Sequence, residues 1–127
     1  MSTEQSTHKE IAVSFLQMVA SGEVQEAYKR YIGLDFRHHN AYFPGDAESL
    51  MRGMKESAVE SPNKQFEVKL VIEEEGTVAV HSHVKQNPDD HGGAVVHIFR
   101  FQDDRIVEMW DIGQPVPEDS PNENGMF

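Results

Sequence analysis

The chain contains no cysteine, a single tryptophan and half as many basic as acidic residues. Without cysteine it can build no disulfide scaffold, no thiolate zinc site and no thiol nucleophile. With 11 Lys and Arg against 22 Asp and Glu, the formal net charge is −11. That balance excludes nucleic acid, whose phosphates need a Lys/Arg footprint, and equally an anionic membrane surface. Long apolar runs are also missing. The longest, Ile11 to Ala20, is too short to span a bilayer and is interrupted by Ser14 and Gln17. The segment Met1 to His8 is polar and lacks the apolar stretch of a secretory signal. A cytoplasmic protein is therefore expected, with residues 1–6 disordered.

What is present suits one globular domain across residues 1–127. The length allows a single core, and a composition 38% hydrophobic and 26% charged is globular, without low-complexity segments. The first 60 residues carry helical signals. Thr7-x-x-Glu10 forms a capping box, followed by Ile11, Phe15, Leu16 and Val19 at helical spacing up to Gly22. A second short helix is expected over Val24 to Ile32, ending at Gly33. A third begins behind Asp46 as N-cap, with Leu50, Met51, Met54, Ala58 and Val59 inward, before Pro62 stops it.

After Pro62 the hydrophobic period becomes two. Phe66, Val68, Leu70 and Ile72 alternate with Glu67, Lys69 and Val71, predicting a half-buried strand. Thr77 to Gln86 follows, with Val78, Val80 and Val84 on one face and Ala79, His81 and His83 on the other. A hairpin loop at 87–93 leads to a last pair of strands, Ala94 to Phe101 and Ile106 to Ile112. The tail, 114–127, reads as extended chain, holds three of the six prolines and ends in Met126-Phe127. Helices followed by an antiparallel meander make an α+β domain, with the helices on one face of a curled sheet.

Three features can carry chemistry. His81 and His83 share a face, and a hairpin can bring His97 near them. Three imidazoles on one concave surface would suit zinc or iron, though polar residues on a partly exposed sheet face explain them as well. Asp111 interrupts the apolar strand Ile106, Val107, Met109, Trp110, Ile112. Burial there disfavours a carboxylate's charged form and moves it toward the range of a general base, unless it merely caps a backbone amide. Whether His97 partners Asp111 depends on the hairpin: a three-residue loop puts them on one face, a two-residue turn on opposite faces. The third feature is the segment Phe36-Arg-His-His-Asn40-Ala-Tyr-Phe-Pro-Gly45, read as a loop across a pocket mouth. Asn40 there could donate to a carbonyl or enolate oxygen, or simply serve as a turn residue.

These segments, namely His38-His39-Asn40, Val80-His-Ser-His83, Val96-His-Ile-Phe-Arg-Phe101 and Arg105-Ile-Val-Glu-Met-Trp-Asp111, together resemble the SnoaL-like polyketide cyclase family. That family lies within the nuclear transport factor 2-like superfamily. The tail is similar to that of the subgroup described as predicted SnoaL-like aldol-condensation enzymes, and the resemblance runs from Lys9 onward. It implies a cone-shaped, curved antiparallel sheet packed against N-terminal helices and enclosing a mostly apolar pocket, commonly in a homodimer. It also implies an acid/base Asp on the last strand, matched by Asp111, an assisting His on the preceding strand, matched by His97, and a loop Asn, matched by Asn40. This carry-over favours the register with both side chains on one face. The sequence departs from the pattern at Val95, where the cyclases place a polar amide.

The expected function is thus proton abstraction next to a carbonyl in a small apolar or carbonyl-containing ligand, as aldol-type cyclisation or isomerisation. Asp111 would be the base, with His97 and Asn40 on the enolate oxygen. Ligand contacts are expected from His39, His81, His83, Phe15, Val95, Phe99 and Met109. That chemistry requires no metal and no organic cofactor. Two rival readings stand beside it: a cone that only holds a ligand or a dimer interface, and a metal site at His81, His83 and His97.

Overall fold

A computed structural model describes residues 7–127. The expected disorder of residues 1–6 lies outside the described residues. Helix α1 (His8–Ala20) starts where the capping box sits: the Glu10 amide donates to Thr7 Oγ1 at 3.1 Å and the Thr7 amide to Glu10 Oε1 at 2.8 Å. Its inward stripe, Ile11, Ala12, Phe15 and Leu16, is buried. Helix α2 (Val24–Tyr31) buries Val24, Ala27 and Tyr28. Helix α3 (Ala47–Glu60) is capped by Asp46, whose carboxylate accepts the Ser49 amide at 2.9 Å. It turns Leu50 inward, whereas Val59, expected inside, is 81% exposed. Among the described residues, no helix is long and apolar enough to cross a membrane.

Among the described residues, five strands follow the order β1-β5-β4-β3-β2, with β1 at Ile32–His39, β2 at Gln65–Glu74, β3 at Thr77–Lys85, β4 at Gly93–Gln102 and β5 at Arg105–Pro115. The sheet is mixed, because β1 pairs parallel to β5 while every other pair is antiparallel. This strand takes the first four residues, 36–39, of the loop expected over residues 36–45, while 40–45 remain a loop, and helix α2 passes into the strand without a break. Its pattern was weak because only Phe36 and His38 are buried along it, while Leu34 is fully exposed. Its partner also lies some seventy residues away in sequence, with Ile32 beside Ile106 and His39 beside Trp110.

Two bulges decide which side chains face the helices. In β2 the register slips between Val68 and Leu70. The alternation expected through Ile72 therefore reverses: Leu70 and Ile72 turn outward and Val71 packs on the core. The second bulge lies in β5. Asp103 and Asp104 form a two-residue turn between the paired Gln102 and Arg105. Phe101 pairs with Ile106, yet Arg100 pairs with Glu108, so Val107 is an extra residue. It shifts every later pair by one position. A short turn and a shared face, alternatives by loop length alone, thereby coexist, and His97 faces Asp111 directly. Gly33 sits against this bulge, where an added Cβ would lie 3.1 Å from Val107 Cγ1.

The helices cover the inner face, where Phe15 meets Tyr28 and Phe99 with ring centroids 5.6 and 5.9 Å apart. The tail returns over the outer face. Gln114 and Pro115 still belong to β5, and further on Phe127 stacks on His83 and His81 at 4.4 and 5.5 Å, with Lys69 Nζ 5.4 Å above its ring.

Candidate functional site

A cavity of about 300 Å³ lies between the helices and the inner face. Leu16, Val19 and Met54 come from the helices; Phe66, Val84 and Val95 come from the strands. Its polar members are Ser57, Lys64, Gln86, Asp90, His97 and Asp111. The volume is at the small end of ligand sites, and the mixture of an apolar wall with few polar groups is typical of them.

Asp111 and His97 are cross-strand neighbours on this wall. Asp111 Oδ1 lies 3.4 Å from His97 Nε2, a long contact, and Asp111 Oδ2 accepts Asn40 Nδ2 at 2.7 Å, a short one. Asn40 follows the end of β1, so the parallel pairing of β1 with β5 brings it to Asp111 from 71 residues away. Two further bonds fix it: its Oδ1 accepts the Tyr42 amide at 3.0 Å, and its own amide donates to His38 Nδ1 at 3.1 Å. His38 Nε2 in turn donates to the Pro44 carbonyl at 2.7 Å, so the buried His38 ring clamps the segment.

Burial pushes the His97 imidazole below its usual range, and the Asp111 charge opposes this only in part. The ring is therefore neutral near pH 7. Its Nδ1 is buried without a hydrogen-bond partner among the described residues, as is the hydroxyl of Ser82 on the neighbouring strand. A second, open hollow of about 530 Å³ shares Gly93, Val95 and Asp111 with the cavity and is rimmed by Asn40 and Tyr42. Asp111 stands where the two meet.

Not every residue expected to touch a ligand reaches this cavity. Val95 lines it. Phe15, Phe99 and Met109 are fully buried in the core beside it rather than in its lining. His81 and His83 point to the outer face, because β3 alternates and His97 sits opposite Val80, not opposite them. The three imidazoles thus lie on two faces of the sheet and cannot share a metal ion. Among the described residues, no group of three His, Asp or Glu is arranged to hold one. His39 also faces outward. It stacks on Trp110 at 5.0 Å and donates to Glu108 Oε2 at 2.7 Å. Arg37 and Arg100 approach the same carboxylate at 3.2 and 3.0 Å. The His39 hydrogen bond, with the two guanidinium groups, holds Glu108 below the usual carboxylate range. Glu108 interrupts the same apolar strand as Asp111, but its task is this outer cluster. Lys64, Ser57 and Asp90 were missed as wall residues, since nothing in their spacing marks them.

The sequence profile of the SnoaL-like domain matches residues 12–109. The chain belongs to the SnoaL-like domain family. No functionally curated protein matches it in sequence. Among solved structures, an NTF2-like protein of unknown function from Cytophaga hutchinsonii superposes with a TM-score of 0.71 at 16% identity, covering 90% of this chain and 96% of that one. A candidate polyketide cyclase from Acidithiobacillus ferrooxidans gives 0.68 at 18% identity, covering 89% and 92%. AclR, a candidate hydroxylase from Streptomyces galilaeus, gives 0.72 at 20%, covering 87% and 80%. At such identities the likeness establishes the fold, an NTF2-like α+β domain with a curved, unclosed sheet, and not the reaction.

Proposed function

We propose that this SnoaL-like protein moves a proton next to a carbonyl in a small ligand, in an aldol-type cyclisation or isomerisation, with Asp111 as the acid/base. The observation that carries the reading is a carboxylate held by Asn40 and His97 at the wall of a largely apolar cavity. In the forward step the α C–H bond breaks, Asp111 takes the proton, and the electron pair moves onto the carbonyl oxygen as an enolate. After the new bond forms, Asp111 returns the proton to the alkoxide. Asn40 has two amide hydrogens; one engages Asp111 and the second remains for the enolate oxygen. His97, neutral and at 3.4 Å, keeps the carboxylate oriented without protonating it. A positioned acid/base of this kind supplies roughly 10²–10⁴-fold.

Deuterium exchange tests the reading. In D2O, the wild type should wash out the α-protons of small ketones such as 2,4-pentanedione faster than buffer, as followed by ¹H NMR. Asp111→Asn should fall to the buffer rate with an unchanged melting temperature. Equal rates for the two proteins, or no exchange by the wild type, would reject it. A non-catalytic ligand-binding domain is the second reading, favoured by the fact that both Asp111 oxygens already have partners. A homodimer belongs to the proposal as well. Leu70, Ile72 and Ile112 on the outer face are 53%, 55% and 55% exposed, an apolar surface for a second copy. A monomer in sedimentation equilibrium at micromolar concentration removes that part.

A further inference from the structure

Lys64 is the single cation among the described residues that line the cavity. It sits between α3 and β2, and its Nζ donates to Ser57 Oγ at 2.6 Å, a second wall residue. Among the described residues no carboxylate comes within 4.0 Å of this ammonium, although the chain carries twice as many acids as bases. The two acids of the wall are both occupied: Asp90 accepts the Gln86 amide at 3.0 Å, and Asp111 accepts Asn40 at 2.7 Å. Lys64 is also half-buried, and the lost hydration pushes its ammonium below the usual lysine range. An ammonium has three donors, of which Ser57 takes one. Two remain for a ligand in the cavity that Asp111 also lines.

We propose that Lys64 forms an anion-recognition end of this cavity, so that the ligand is a small carbonyl compound bearing a carboxylate. The carboxylate replaces the water that Lys64 has lost, and the carbonyl end reaches Asp111, where the cavity meets the hollow rimmed by Asn40. In a partly desolvated setting such a charge-assisted contact is stronger than on the open surface. The inference rests on the cavity being the ligand site proposed above, and it adds the ligand's charge to that reading.

The probes are 4-oxopentanoate and its neutral isostere 4-oxopentanamide, titrated into the ¹⁵N-labelled protein. The acid should shift the amide resonances around Lys64, Ser57 and Val95 saturably. It should bind about ten-fold more tightly than the amide, the size of one hydrogen-bonded contact to a charged group. The preference should shrink with added salt, vanish in Lys64→Met and survive in part in Lys64→Arg. Equal binding of acid and amide by the wild type, or failure of the acid to bind, overturns the proposal without reference to any variant. A preference that persists in Lys64→Met overturns it too. Asp111→Asn separates the two proposals, since it should lose proton exchange yet keep the preference for the acid. If exchange is absent while the preference holds, the catalytic reading alone falls; if exchange depends on Asp111 and the preference is absent, this inference alone falls.

Discussion

The contact between Asn40 and Asp111 can be measured as a coupling energy, through Asn40→Ala, Asp111→Ala and the double variant. Its Nδ2 to Oδ2 distance is 2.7 Å. Hydrogen bonds to charged groups contribute about 1.5–3 kcal/mol. The Asp111 side chain is 24% exposed, so water replaces part of the lost bond. The coupling should therefore fall at or just below the bottom of that range, about 1–1.5 kcal/mol. Asn40→Ala also releases the Tyr42 amide, which makes that single change costlier than the coupling itself. This extra cost appears in both arms that lack Asn40 and cancels in the cycle. Urea unfolding at pH 7 gives the four free energies, with Trp110, the single tryptophan, as fluorescence reporter. A coupling below about 0.5 kcal/mol, the error of simple additivity, would falsify the geometry on which the proposed base depends.

Two further outcomes concern the surroundings of that pair. Phe15 is fully buried against Tyr28 and Phe99 rather than in the cavity lining, so Phe15→Ala should cost about 3–5 kcal/mol of stability, as core phenylalanine truncations do; a cost below about 1 kcal/mol in the same unfolding experiment would make it a cavity wall instead. His97 is held below its unfolded range, so the unfolded chain binds more protons around and below pH 6.5; the stability linked to it is fully present above that pH and is lost as pH falls toward the folded value. His97→Phe should remove this acid-side decline, and parallel stability curves for the two proteins between pH 7 and pH 5 would contradict it.

Much of the local structure was legible because its causes are local. The capping box at Thr7 and Glu10, the Asp46 cap and the period-two segments of β3 and β4 need only neighbours a few residues away. Strand β1 was not legible. It buries two side chains in eight, and its hydrogen bonds are supplied by β5, a partner that no short window contains. In β2 a single extra residue at the Lys69 bulge turned Leu70 and Ile72 outward, and spacing alone does not reveal an insertion into a ladder. The candidate site divides in the same way. Asp111 drew attention as a carboxylate in an apolar strand, but Glu108 carries the same signal. Only the sheet shows that one faces the cavity and the other the outer cluster of His39, Arg37 and Arg100.

The sequence by itself determined the class of the domain. Helical periodicity before Pro62 and alternation after it leave little besides helices on one face of a sheet, and the absence of cysteine and the excess of acids over bases remove whole families of chemistry. Tertiary structure alone decided which polar groups meet. Val107, as one extra residue in β5, set the parity that puts Asp111 opposite His97 despite a two-residue turn. The parallel pairing of β1 delivered Asn40 to the same carboxylate, and the alternation of β3 sent His81 and His83 to the far face. The physical reason is that strand faces have a period of two. One residue of register inverts every side chain beyond it, and register is a property of the pair of strands rather than of either one.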